Sequence, residues 1–126
     1  QIISGYAENV KPGIDFSWKR SFFEEQLWPV LANRVSNFER AKIVGGWAGI
    51  YDHNTEDQNA IIGSHPEMAG YYMAVGFSGH GMQQAPAVGK GLSELIRTGR
   101  YETLDLTPLR FERFAEKDLV VEGGVY

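Results

Sequence analysis

Cysteine is absent from the 126 residues, which excludes disulfides and Cys-x-x-Cys metal sites within this chain. Long apolar runs are missing too. The longest cover a few residues, against the roughly 20 that a membrane-spanning helix needs, so no transmembrane segment is expected. A basic stripe is also lacking: twelve Lys and Arg are scattered among sixteen Asp and Glu, for a net charge of −4. Nothing here would track the phosphates of a nucleic acid, and that partner class is set aside. The three histidines, His53, His65 and His80, form no i, i+4 pair. The polar run Asp52 to Asn59 lacks the spacing of an EF-hand loop or an H-E-x-x-H helix. It reads as a solvated or hydrogen-bonded loop, and no metal is expected. Repeats and low-complexity segments do not occur.

What is present suffices for one core, with 43% hydrophobic and 13% aromatic residues. Ser4 to Glu8 reads as a short strand, and Asn9 to Asp15, with Lys11-Pro12-Gly13, as a turn. Ser21 and Glu24 match a capping box, although Asp15 or Ser17 could start the helix a turn earlier. Phe23, Leu27, Val30 and Leu31 follow helical spacing, with Pro29 expected to kink or break the helix after Trp28. Ala41 to Tyr51 reads as a strand with three glycines, a pattern found where a backbone or a ligand comes close, or at a bulge. Ala60 to Gly63 and Tyr71 to Phe77 complete three to four strands of an α+β fold. The tail from Arg100 to Tyr126 carries apolar anchors at Leu104, Leu106, Leu109, Phe111 and Phe114.

The segment Gly76-Phe77-Ser78-Gly79-His80-Gly81 is the richest in information. Its glycines remove side chains where the backbone must approach something or take φ > 0. Pro86 and the apolar period Val88, Leu92, Leu95, Ile96 predict a helix that begins near Met82 to Pro86 and stops at Gly99. The unpaired N–H groups and positive dipole end of that helix would face whatever lies over the turn. The spacing G-x-x-G-x-G differs from the dinucleotide fingerprint G-x-G-x-x-G, and Glu94 falls inside the helix instead of at a ribose. On spacing alone, a tight turn packing a helix on a sheet explains the segment equally well.

Gly76-Phe77-Ser78-Gly79-His80-Gly81 followed by Ala85-Pro86-Ala87-Val88-Gly89 closely resembles the C-terminal signature of the D-amino-acid oxidase and sarcosine/glycine oxidase family of FAD-dependent oxidoreductases. Trp47 to Asp52, Asn54 to Gly63, His65-Pro66 and Asp105-Leu106-Thr107-Pro108 resemble one branch of it. That branch contains a FAD-dependent oxidoreductase domain-containing protein linked to mitochondrial complex I assembly, with its bacterial relatives. The likeness runs from Ser4 to Tyr126 and implies a fragment of a two-domain enzyme. Residues 1–52 would be the end of the substrate domain and its sheet. Residues 53–126 would be the return to the FAD-binding domain, with its last strand and helix, and the tail.

The resemblance further implies oxidation of a carbon–nitrogen bond of an amino acid or secondary amine by hydride transfer to flavin, this chain supplying the flavin-ring end of the site. Gly79, His80, Gly81, Met82 and Gln83 would bind the cofactor. Trp47, Ile50, Tyr51 and Gln83 would line the substrate pocket, and no catalytic residue is assigned. Without cysteine, FAD is expected to be held non-covalently as far as this segment is concerned. The fragment alone would be inactive and would need the missing N-terminal part of the same protein. Some relatives carry a lysine at the position of Gln83 and others an arginine near Ile50 or Tyr51, where a charge holds the substrate carboxylate. Neither charge is present here. That departure keeps open a second reading, an assembly factor that acts through protein binding, with respiratory-complex assembly proteins as partners. A third is an independent small α+β binding module. Localisation would be the mitochondrial matrix for a eukaryotic source and the cytoplasm for a bacterial one.

Overall fold

The computed structural model describes residues 2–7 and 11–121, in two compact units, Gln1–Ile50 and Tyr51–Tyr126. In the first unit one helical stretch runs through α1 (Arg20–Phe22), a π-helical turn (Phe23–Leu27) and α2 (Trp28–Arg34), followed by a 3₁₀ turn (Ser36–Arg40). Pro29 does not end the helix. The wider turn before it, in which the Trp28 N–H donates to the Phe23 carbonyl, absorbs the proline where an α-turn would press its ring on the carbonyl four residues back. The expected capping box is not formed either. No side chain caps the helix at Lys19, because Glu24 instead pairs with Arg20 at 2.9 Å, while Asp15 accepts the Ser17 N–H at 2.8 Å. Trp28 Nε1 donates to the Phe38 carbonyl at 3.0 Å and ties α2 to the 3₁₀ turn.

Neither strand expected in this unit forms. Residues 4–7 and 41–51 belong to no sheet, since an extended segment becomes a strand only with a partner for its N–H and C=O groups. Among the described residues none is offered. Glu8, Asn9 and Val10, which close the first expected strand and open the turn after it, lie outside the described residues, as does the tail beyond Val121.

The second unit contains the sheet, two antiparallel strands, β1 (Ile61–Ser64) and β2 (Tyr72–Val75), paired Ile61 with Val75 through Ser64 with Tyr72. Among the described residues two strands thus stand where three to four were expected. Gly70, at φ 77°, turns the chain between them, and the His65 N–H donates to the Tyr71 carbonyl at 2.8 Å. Next comes α3 (Gly81–Thr98), closed by Gly99 in the left-handed region at φ 76°, where glycine carries no β-carbon penalty. Ile62 on β1, Val88 on α3, Ala60 and Leu106 form the buried core, with Phe77, Leu92, Tyr101 and Leu109 against it.

The buried stripe of α3 departs from the expected one at its end. Ile96 is 56% exposed, while Gly91 and Glu94 are buried. At about 100° per residue Ile96 lies roughly 80° round from Val88, at the margin of the core-facing stripe, whereas Leu95 returns to within roughly 20°. Gly91 permits close packing, since a β-carbon there would lie 2.5 Å from Leu106 Cδ1. The tail is partly built into the second unit. It gives Leu106 to the core and forms a 3₁₀ turn (Thr107–Leu109) and α4 (Arg113–Glu116), although Leu104, an expected anchor, is 49% exposed.

Candidate functional site

The glycine turn between β2 and α3 is held by short polar links to residues 52–54. The Gly76 N–H donates to an Asp52 carboxylate oxygen, and the Ser78 N–H donates to the Asp52 carbonyl at 2.9 Å. Ser78 Oγ accepts the Asn54 N–H at 3.0 Å and donates to the Gly76 carbonyl at 3.3 Å. Gly76 and Gly79 take φ of 73° and 95°, and Ser78, buried between them, takes 48°. A non-glycine residue holds that conformation only when its surroundings fix it, and the bonds of Asp52 and Asn54 do so here. Gly81 is different: it is the first residue of α3, not in the left-handed region. Its lack of a side chain serves space, because a β-carbon would meet Phe77 Cβ and Cγ at 3.3 Å.

Helix α3 therefore begins on an open end. His80 is its N-cap residue but makes no side-chain capping bond, and no acidic residue occupies the first turn. The N–H groups of Gly81, Met82 and Gln83 have no intrahelical acceptor, and the helix dipole adds positive potential in front of them. The first partnered amide after them is that of Gln84, which donates to the His80 carbonyl at 3.1 Å. Tyr51, Ser78, Gly79 and His80 line a cavity of about 40 Å³ at this end. Open donors at a helix N-terminus suit an anionic or electron-rich group.

Of the residues singled out in the sequence, Tyr51, Gly79, His80, Gly81, Met82 and Gln83 thus gather around one helix terminus. Met82 is 86% exposed and Gln83 is exposed on the first turn. Trp47 and Ile50 belong to the first unit, where they are 74% and 46% exposed. Asp52, Asn54 and Ser78, which shape the turn, were not singled out. The sequence places them in the polar run and in the glycine segment, where Asx and Ser residues, the types that bond to nearby backbone, are dense.

A second buried polar cluster lies under the same loop. Arg113 and Asp57 are each fully buried and paired at 2.7 Å. The Arg113 hydrogen bonds hold the Asp57 carboxyl below the usual carboxylate range, against burial, which pushes it up. Arg113 has no sequence signal beyond a cation set between Phe111 and Phe114. On α3, Glu94 accepts the N–H groups of Glu102 and Thr103 at 2.9 and 3.0 Å and the Thr103 hydroxyl at 2.6 Å, and pairs with Lys90 at 3.0 Å.

Residues 5–95 match the family model described as FAD dependent oxidoreductase. The chain is 52% identical over 93 residues to "FAD-dependent oxidoreductase domain-containing protein 1" of Bos taurus, covering 74% of this chain and 19% of that protein. It is 34% identical over 87 residues to the glycine oxidase of Geobacillus kaustophilus, covering 68% of this chain and 22% of that enzyme. Among solved structures, L-proline dehydrogenase from P. horikoshii superposes with a TM-score of 0.78 at 33% identity, over 88% of this chain and 29% of that one. The chain spans about a fifth of the length of the curated relatives it matches.

Proposed function

Because this chain belongs to the FAD dependent oxidoreductase family, we propose that it supplies the flavin-ring end of a site that oxidises a carbon–nitrogen bond of an amino acid or secondary amine. The single observation that carries the reading is the uncapped N-terminus of α3 behind the Gly79 turn. Bound FAD supplies the acceptor for the hydride that leaves the substrate carbon. The chain's own residues do the rest. The N–H groups of Gly81, Met82 and Gln83 would hold the flavin ring by hydrogen bonds, and the helix dipole would favour negative charge in front of them. Gly79 lets the backbone approach, and Tyr51 forms pocket wall. Gln83 hydrogen-bonds substrate through its side chain while its N–H serves the cofactor. With no cysteine in the chain, no cysteinyl–flavin bond arises from it. Amine and amino-acid substrates are supported by the likeness to a glycine oxidase and an L-proline dehydrogenase.

The test is the absorbance spectrum of the intact protein that carries this chain, followed by anaerobic titration with sarcosine, L-proline and glycine. Flavin bands bleached by one of these amines are expected; a protein without flavin, or flavin that none of them reduces, overturns the proposal. A second reading makes the flavin structural and gives the working surface to another protein, such as a respiratory-complex assembly partner. The uncharged Ile50, Tyr51 and Gln83, unable to pair a carboxylate, favour it. Assembly activity that survives loss of flavin reduction would select it.

A further inference from the structure

Beyond residue 95, where the family match ends, the tail reaches back to the glycine turn through buried side chains. Arg113 donates from Nε to Asp57 Oδ2 at 2.7 Å and from Nη2 to Asp57 Oδ1 at 2.9 Å. Its remaining donors go to main-chain carbonyls: Nη1 to Leu109 and Arg110 at 2.8 and 3.0 Å, and Nη2 to Asn59 at 3.1 Å. Asp57 Oδ1 also accepts Asn54 Nδ2 at 2.8 Å, and the Asn54 N–H donates to Ser78 Oγ at 3.0 Å. Arg113, Asp57, Asn54 and Ser78 are all buried, and a continuous path runs from α4 to the residue before Gly79, crossing Asn54 from its side-chain amide, bonded to Asp57, to its main-chain N–H, bonded to Ser78. The tail is gripped a second time: the Val120 N–H donates to Asp57 Oδ2 at 3.3 Å, and Asn59 Nδ2 donates to the Val120 carbonyl at 2.6 Å.

A buried ion pair is weak evidence for stability, because the desolvation of two charges offsets their attraction. Its geometric effect is stronger. A planar fork on both carboxylate oxygens fixes the orientation of Asp57, which in turn fixes Asn54. Asn54 packs against the turn directly, since a β-carbon on Gly76 would lie 3.2 Å from Asn54 Cβ. A pair that served only to hold the tail would need no such continuation.

We propose that Arg113 is a positioning residue for the Gly79 turn, acting through Asp57, Asn54 and Ser78 to set where the N–H groups ahead of α3 point. It thereby sets the affinity and reduction potential of the flavin that the turn faces, and in this it rests on the flavin-facing reading given above. The test uses the intact protein and measures thermal midpoint, FAD dissociation constant after deflavination, and flavin reduction potential. Arg113→Gln is expected to raise the dissociation constant about tenfold, equivalent to about 1.4 kcal/mol, and to lower the potential. Arg113→Lys, which keeps the charge without the fork, recovers part of the affinity. Gly79→Val serves as the control for the underlying reading. If Gly79→Val alters both flavin properties while a folded Arg113→Gln alters neither, the positioning role is overturned and the flavin-facing turn stands. If Gly79→Val alters neither, both are overturned. Should Arg113→Gln fail to fold, Ser78→Ala decides: it breaks the path at its far end without stranding a charge. Unchanged affinity and potential in that variant would overturn the role.

Discussion

The position a β-carbon would take on Gly79 lies 3.3 Å from Cε2 of Tyr51 and 3.4 Å from its Cζ. With φ at 95°, the residue is constrained twice, by backbone conformation and by the neighbouring ring. Gly79→Ala is therefore expected to destabilise the protein by about 1–2 kcal/mol and to lower its FAD content. Gly81→Ala, at a helical position, should cost less, because only the Phe77 side chain must give way. Urea melts of the two variants check the order. Equal stability losses would mean that crowding alone, and not the left-handed backbone, governs the turn.

Ile62 is 1% exposed and packs with Val88 and Leu106, whereas its neighbour Ile61 is half-buried on the other face of β1. Ile62→Ala should cost about 2–5 kcal/mol, from lost burial plus the cavity left behind. Ile61→Ala should cost clearly less. Calorimetry on both variants checks the alternation that the antiparallel register demands.

The Glu94 carboxyl is lowered from its ordinary 4.5 to about 2, first by the Thr103 hydroxyl, then by the Thr103 and Glu102 N–H groups and by Lys90. A carboxyl with a depressed folded-state pKa adds stability that is fully present above 4.5 and is lost as pH falls toward 2. The unfolded state binds the proton first, so stability rises with pH across that window. Glu94→Gln should flatten this part of the pH dependence and leave the slope above pH 5 unchanged. Equal slopes in wild type and variant between pH 2 and 4.5 would contradict the assignment.

Local pattern carried most of what the sequence revealed. Helix α3 and its stop at Gly99 follow from apolar period and a left-handed glycine; β2 falls within the expected Tyr71 to Phe77, and β1 overlaps the expected Ala60 to Gly63 but runs one residue past it, to Ser64. Ala41 to Tyr51 looked like a strand because alternation is visible locally, whereas the partner that makes a strand is not. The capping box failed for a similar reason: Glu24 had two local partners to choose from, and the ion pair with Arg20 won. Around the candidate site, the glycines were legible and the residues that hold them were not. Asn54 and Ser78 are 24 residues apart, and Asp57 and Arg113 are 56 apart. No spacing rule joins such pairs, and only the fold brings them together.

Gln83 separates the two roles assigned to the start of α3, since its N–H and its side chain are given different work. Gln83→Ala keeps the N–H and favours helix, so FAD content and potential should match the wild type. The lost side-chain hydrogen bond should lower kcat/KM about fivefold to tenfold, or about 1–1.4 kcal/mol. Gln83→Lys places a cation on the exposed first turn, which costs about 0.3–1 kcal/mol against the helix dipole but offers a partner to a substrate carboxylate. It should therefore raise kcat/KM for L-proline or glycine relative to an amine without a carboxylate. Steady-state kinetics with both substrate types, beside the flavin spectrum of each variant, distinguishes these effects. If Gln83→Ala loses flavin, the side chain and not the N–H holds the cofactor; if Gln83→Lys shifts both substrate types alike, no carboxylate lies within reach of this turn and the pocket assignment of Gln83 is wrong.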